Sequence, residues 1–147
     1  MVQLIHNGIL LTKLKRIPNE NGDLYHALKK SEEGYTGFGE AYFSIVKFGS
    51  FKGWKKHSRM VLNIIVPVGS IRFYIIDERK DLFVKSIVIS PENYCRLTVP
   101  PGVWLGFEGV GAELNMLLNI ASIEHDPAEA ENKGKEVFAH LFSQLKP

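Results

Sequence analysis

Short apolar runs alternate with turn residues along most of the chain. Turn signals fall at Asn19–Gly22, Gly37–Gly39, Gly49–Ser50, Pro67–Gly69, Asp77–Asp81, Ser90–Asn93, Pro100–Gly102 and Gly109–Gly111. Between them lie runs rich in Val, Ile, Phe and Tyr, at 40–48, 51–59, 60–66, 70–77, 83–90, 94–99, 103–109 and 114–122. Runs of that length, separated by turns at roughly even spacing, predict an antiparallel sandwich or barrel. Within 70–77, Ile71, Phe73 and Ile75 share one face and Ser70, Arg72 and Tyr74 the other, so the first three are assigned to the core.

The C-terminal stretch changes period. Asp126 reads as a helix N-cap, and Pro127 suits the first helical position. Glu129 and Glu131 follow at the positive end of the helix. Val137, Phe138, Leu141, Phe142 and Leu145 then recur at helical spacing and form one apolar stripe. The pattern predicts a helix over 127–145, weakened at Gly134, that packs on its own barrel or on a partner subunit. Residues 1–147 are expected to form one domain, with the barrel over about 10–125 and the helix behind it.

Composition narrows the function. The chain has 147 residues, 45% of them hydrophobic and 23% charged, which suits one globular domain. Eighteen Lys+Arg against sixteen Asp+Glu leave a net charge of +2, and no run mixes basic and aromatic residues as nucleic-acid modules do. Cys95 is the single cysteine, so an intrachain disulfide and a cysteine-based zinc cluster are excluded, and a small buried hydrophobe is its expected role. The N-terminal apolar stretch is broken by His6, Asn7 and Gly8 and lacks signal-peptide features. No apolar run elsewhere is long enough to span a bilayer. The expected setting is the cytoplasm, with no membrane and no nucleic acid as partner.

Two short motifs carry a resemblance. Gly53, Lys55, His57, Leu62 and Gly69 have the spacing of the first cupin motif, G…H-x-H-x4-E-x6-G, and Pro100, Gly102 and Leu105 have the frame of the second, P-x-G-x-x-H. GEAYFSIVKFGSFKGW, IRFYIIDER with Gly69 before it, Ser90-Pro-Glu-Asn93 and VPPGVWLGF then fall in the order and spacing of the dTDP-4-dehydrorhamnose 3,5-epimerase family. IPNENGDL (17–24) resembles that family's early turn. The whole chain from about 10 to 127 resembles this family, which implies a mostly β, jelly-roll (cupin-type) double-stranded barrel with a C-terminal α-helix.

The resemblance also assigns roles. In metal-binding cupins the four ligand positions are three histidines and a glutamate. Here they are Lys55, His57, Leu62 and Leu105, and one imidazole with a lysine beside it does not hold a divalent ion. No metal and no other cofactor is expected, as in the sugar epimerases. Those enzymes use a histidine base and a tyrosine acid on opposite sides of the sugar ring. The base position falls on Lys55, and the tyrosine position on or beside Glu124 and His125. Lys55, His57 and Glu124 are therefore the catalytic candidates. A partly desolvated lysine can act as a base or form a Schiff base with a keto sugar. His57, two residues along the same strand, points to the same side and titrates near neutrality. Lys52 matches the family's basic residue before the glycine, where it suits a pyrophosphate, with Arg59 beside it. Glu40 and Tyr42 match polar pocket positions, and Trp104 offers a stacking surface.

Each residue also has a plainer role. Lys55-Lys56 is the kind of basic pair that usually lies solvated on a surface. His57 suits a hydrogen-bonded core histidine, and Trp104 a core aromatic. Three functions stay open: a metal-free epimerase or isomerase acting on a nucleotide-linked 4-keto-6-deoxy sugar; a non-catalytic cupin that binds a nucleotide-sugar or small anion; and an interaction module that docks through its C-terminal helix. The resemblance further implies a homodimer.

Overall fold

The computed structural model describes residues 2–141. Its strands are β1 (Val2–His6), β2 (Ile9–Lys13), β3 (Arg16–Ile17), β4 (Leu24–Tyr25), β5 (Glu40–Ile45), β6 (Phe51–His57) and β7 (Leu62–Val68). They continue with β8 (Ile71–Asp77), β9 (Phe83–Ile89), β10 (Cys95–Val99), β11 (Val103–Gly109), β12 (Met116–Ala121) and β13 (Ala130–Asn132). A six-stranded sheet runs in the order β1-β2-β10-β7-β12-β5, and a five-stranded sheet in the order β13-β6-β11-β8-β9. Neighbouring strands in both sheets pair antiparallel. The expected mostly β, double-sheet jelly roll is what these residues build.

Every apolar run assigned to a strand contributes one. The broken N-terminal stretch forms a strand pair as well. His6-Asn7-Gly8 is the tight turn between β1 and β2, with His6 opposite Ile9 and positive φ at Asn7 (39°) and Gly8 (89°). Asn-Gly suits a two-residue turn of that hand because both central residues need positive φ.

The alternation in β8 decides the interior. Ile71, Phe73 and Ile75 are buried between the sheets, beside Ile64, Val66, Leu97 and Leu117. Its other face is buried too. Tyr74 and Ile76 join Trp54 and Trp104 in a second cluster on the outside of the five-stranded sheet, covered by Phe138 and Leu141. Trp104 is thus a core aromatic, and its Nε1 donates to Glu78 Oε1 at 3.2 Å.

The C-terminal stretch departs from the expected helix over 127–145. Asp126 caps a turn, accepting from the Ala128 N–H, but Pro127–Glu129 is a single 3₁₀ turn. Ala130–Asn132 then forms β13 on the free edge of β6, with Ala130 opposite His57 and Asn132 opposite Lys55. A second 3₁₀ segment spans Lys135–Leu141, and 142–145 lie outside the described residues. The edge explains the change. A helix starting at 127 would leave β6 with unpaired N–H and C=O groups. Instead Trp54 and Lys133 exchange two backbone hydrogen bonds of 3.0 Å, and the Ser58 N–H donates to the Glu129 carbonyl at 2.8 Å. The apolar stripe keeps its purpose, since Phe138 and Leu141 pack on the chain's own sheet.

Candidate functional site

A cavity of about 730 Å³ opens between the two sheets at one end, a size that suits a small organic ligand. Glu40, Tyr42 and Ser44 of β5, Leu117 and Asn119 of β12, and Leu62 and Ile64 of β7 form one wall. Lys52, Lys55 and His57 of β6 and Leu105 and Phe107 of β11 form the other, with His125 and Asn132 at the rim. Glu40, Tyr42 and Ser44 share a wall because strand side chains alternate.

Lys52 and Lys55 are three residues apart, yet both reach the cavity. A bulge in β6 accounts for it: Lys52 pairs with Phe107 and Lys55 with Leu105, so β6 carries one residue more than β11 over this stretch. The two strands also approach closely there. A Cβ on Gly53 would lie 2.7 Å from the Gly106 Cα, and one on Gly106 only 2.4 Å from the Phe51 ring. Glycine at both positions lets the bulge form.

Lys55, His57, Leu62 and Leu105, which share the cupin-motif spacing, all line this cavity. Among the described residues no three His, Cys, Asp or Glu side chains gather as a metal set.

His57 is the best-defined group in the wall. Its Nδ1–H donates to Glu129 Oε1. Glu129 Oε2 accepts from the backbone N–H groups of Ser58 and Arg59, each at 3.0 Å, and of Met60 at 3.3 Å. Burial pushes the Glu129 carboxyl up, but the His57 and backbone hydrogen bonds outweigh it and hold the group at about 2. Glu129 is therefore ionised at neutral pH and fixes the imidazole tautomer, leaving Nε2 as the nitrogen with a free lone pair. Nε2 has no partner among the described residues, and the ring lines the cavity.

The remaining candidates divide. Lys52 bridges the two walls, donating from Nζ to Ser44 Oγ at 3.1 Å. Glu40 Oε1 accepts from the His125 N–H at 2.6 Å and so draws His125 to the rim. Tyr42 faces the interior and accepts from Asn119 Nδ2 at 3.0 Å. Arg59, Trp104 and Glu124 do not line the cavity. Arg59 is exposed and pairs with Asp126 at 3.1 Å, Trp104 is in the outer cluster, and Glu124 is exposed while its neighbour His125 turns to the rim.

No sequence pattern marks Glu129 or Asn119 as a site residue: an acid at Glu129 already suits the start of a helix. Only the pairing of β13 with β6 brings it under His57.

A cupin barrel whose open end holds one carboxylate-backed histidine and two lysines is the class of protein that fold and site define. No family model matches the chain. It is 33% identical to a dTDP sugar isomerase from Desulfovibrio desulfuricans G20, over 88% of this chain and 86% of that one, with a TM-score of 0.82. The chain belongs to the dTDP-sugar isomerase and epimerase family. A dTDP-4-dehydrorhamnose 3,5-epimerase from Sulfolobus tokodaii has the same fold at 20% identity, covering 92% of this chain and 82% of that one (TM-score 0.80). So does a dTDP-6-deoxy-D-glucose-3,5-epimerase from Legionella pneumophila, seen with dTDP-4-keto-L-rhamnose, at 17% identity, 92% and 77% coverage and a TM-score of 0.79. A probable low-salt glycan biosynthesis epimerase from Haloferax volcanii is 26% identical over 91 residues. That match spans 58% of each chain, so this chain covers a little over half of that relative's length.

Proposed function

We propose that this protein is a metal-free epimerase or isomerase acting on a dTDP-linked 4-keto-6-deoxy sugar, with His57 as its base. The observation that carries the reading is the His57–Glu129 pair in the wall of the cavity. An imidazole whose Nδ1–H is held by an ionised carboxylate turns Nε2 to the cavity as the proton-accepting nitrogen. Protons on a carbon next to a ketone are acidic enough for such a base. His57 Nε2 takes the proton, the C–H electrons form a C=C bond, and the carbonyl electrons move to oxygen as an enolate.

Lys55, the neighbouring inward side chain of β6, supplies an ammonium that favours the enolate oxygen. The position that holds the base in the epimerases is thus given to a cation here, and the base moves two residues along the strand. Lys52 at the other end of the cavity suits the diphosphate. The protein works as a homodimer. Phe43 and Ile45 on β5, with Val68 and Leu114 nearby in the fold, are exposed and apolar, as a subunit contact requires.

The test is incubation with dTDP-4-keto-6-deoxyglucose in deuterated water, followed by NMR and mass. Enzyme-dependent deuterium next to the ketone is expected. Ligand-induced shifts without label would instead assign the protein as a nucleotide-sugar binder, and neither effect would mean a different ligand.

A further inference from the structure

We propose that Leu62 and Leu105 select a sugar whose sixth carbon is a methyl group and reject the same sugar with a hydroxyl there. The inference rests on the reading of the cavity as a nucleotide-sugar site and names the feature by which that site sorts its ligands. Polar groups are unevenly spread around the cavity. Glu40, Tyr42 and Ser44 on β5 and Lys52, Lys55 and His57 on β6 bring them to its two walls. Apart from Asn119, the lining from β7, β11 and β12 is apolar: Leu62, Ile64, Leu105, Phe107 and Leu117. The first three and Leu117 belong to the core packed between the sheets, and Phe107 packs against it. The cavity thus ends on the core itself. Leu62, Ile64, Leu105 and Leu117 are only 2% to 7% exposed, so a ligand group resting on them leaves water behind.

Leu62 and Leu105 stand at the spacing where the cupin motifs carry a glutamate and a histidine. A polar side chain at either position would give a ligand hydroxyl a partner, and two leucines give it none. Register decides which part of the ligand meets them. Leu105 lies across the ladder from Lys55, and Phe107 from Lys52. Side chains directly opposite on neighbouring strands are in contact range. With Lys52 at the diphosphate and Lys55 at the ketone oxygen, the surface beside the ketone is Leu105.

A 4-keto-6-deoxy sugar carries its methyl on a carbon bonded to the carbonyl carbon. That methyl is the one wholly apolar substituent of the ring, and it sits next to the group that Lys55 addresses. Moving it from water onto the leucines favours binding. A hydroxyl in its place would lose its water and find no partner on the leucines.

The experiment measures binding of dTDP-6-deoxyglucose and dTDP-glucose by calorimetry to wild type, Leu105→Ser, Leu62→Ser and Phe138→Ala. The two ligands differ only in the oxygen on the sixth carbon, and neither has a ketone, so affinity is read without turnover. Wild type should bind the 6-deoxy ligand about ten- to a hundredfold more tightly, the range an apolar pocket reaches against an added hydroxyl. Leu105→Ser and Leu62→Ser should each narrow that ratio to about threefold or less, chiefly by tightening dTDP-glucose. Phe138→Ala, on the outside of the sheet, should keep the wild-type ratio. Where a serine variant does not fold, Leu105→Thr makes the same comparison with more of the side-chain bulk retained. Equal affinity of wild type for both ligands overturns the selection and leaves the proposed function standing. A ratio unchanged in both leucine variants overturns the assignment to these side chains. Failure of wild type to bind either ligand overturns the nucleotide-sugar reading and this proposal with it.

Discussion

Asp77 and Glu129 are the buried carboxylates among the described residues, both lie on or beside the five-stranded sheet, and each has a histidine next to it. Asp77 is held by Arg79, whose Nε and Nη2 both donate at 2.9 Å, with His6 Nε2 3.6 Å away. Glu129 has no arginine or lysine in that place. Backbone N–H groups and His57 alone surround it. A permanent cation saturates Asp77, and Arg79 also reaches the Asn7 carbonyl, so the pair fastens the β1–β2 turn to the end of β8. Glu129 is matched by backbone dipoles and by an imidazole, with no permanent cation hydrogen-bonded to it through a side chain. One carboxylate ties strands together; the other holds an imidazole in the cavity wall.

The largest separation between the two should come from removing each charge in turn. Glu129→Gln should lower the rate of deuterium entry by about a hundredfold or more, because the imidazole loses its fixed tautomer. Asp77→Asn should leave the rate per folded molecule near that of wild type. Stability against pH should separate them as well. The folded-state carboxyl of Glu129 lies at about 2, below its ordinary 4.5, so its contribution is present above 4.5 and is lost as pH falls towards 2. Urea unfolding at stepped pH should show that acid limb flattened in Glu129→Gln. The Arg79 hydrogen bond lowers Asp77 as well, against burial, from 3.8. Its limb lies below that pH and should survive in Glu129→Gln.

Next in size is the outer cover of the same sheet. Phe138 packs edge-on against Trp54 at 5.0 Å between ring centroids and is 5% exposed. Phe138→Ala should cost about 3 kcal/mol in urea unfolding, with KM unchanged for the folded fraction. Asp77→Asn should cost about 2 kcal/mol by the same measurement, through its lost hydrogen bonds to Arg79. Smallest is Lys52→Ala, which should raise KM for the nucleotide-sugar about tenfold, equivalent to about 1.4 kcal/mol of binding, and leave kcat close to wild type.

Much of this arrangement is legible in the residues. The alternation of Ile71, Phe73 and Ile75 places β8 against the core, and the cupin spacing puts Lys55, His57, Leu62 and Leu105 around one cavity. Lys52, Glu40 and Tyr42 follow from the same frame. What failed depends on contacts between distant segments. Asp126-Pro127 is a helix start by local rules, but the edge of β6 draws 130–132 into a strand, and no pattern within 127–145 reports that edge. Glu129 becomes a site residue for the same reason. Trp104, Arg59 and Glu124 carry suitable chemistry, but Trp104 points out of the sandwich, Arg59 turns to Asp126, and Glu124 leaves the rim to His125. The Asn-Gly turn at Asn7–Gly8 was legible in principle; His6 and the glycine broke the apolar run that would have marked two strands.

The most direct measurement is the rate of deuterium entry next to the ketone of dTDP-4-keto-6-deoxyglucose, in wild type and in His57→Asn, at matched folded fraction. Proton transfer by a glutamate-backed His57 predicts labelling in the wild type and its loss by at least about a hundredfold in His57→Asn. Labelling that persists in His57→Asn would contradict it and move the base elsewhere in the cavity.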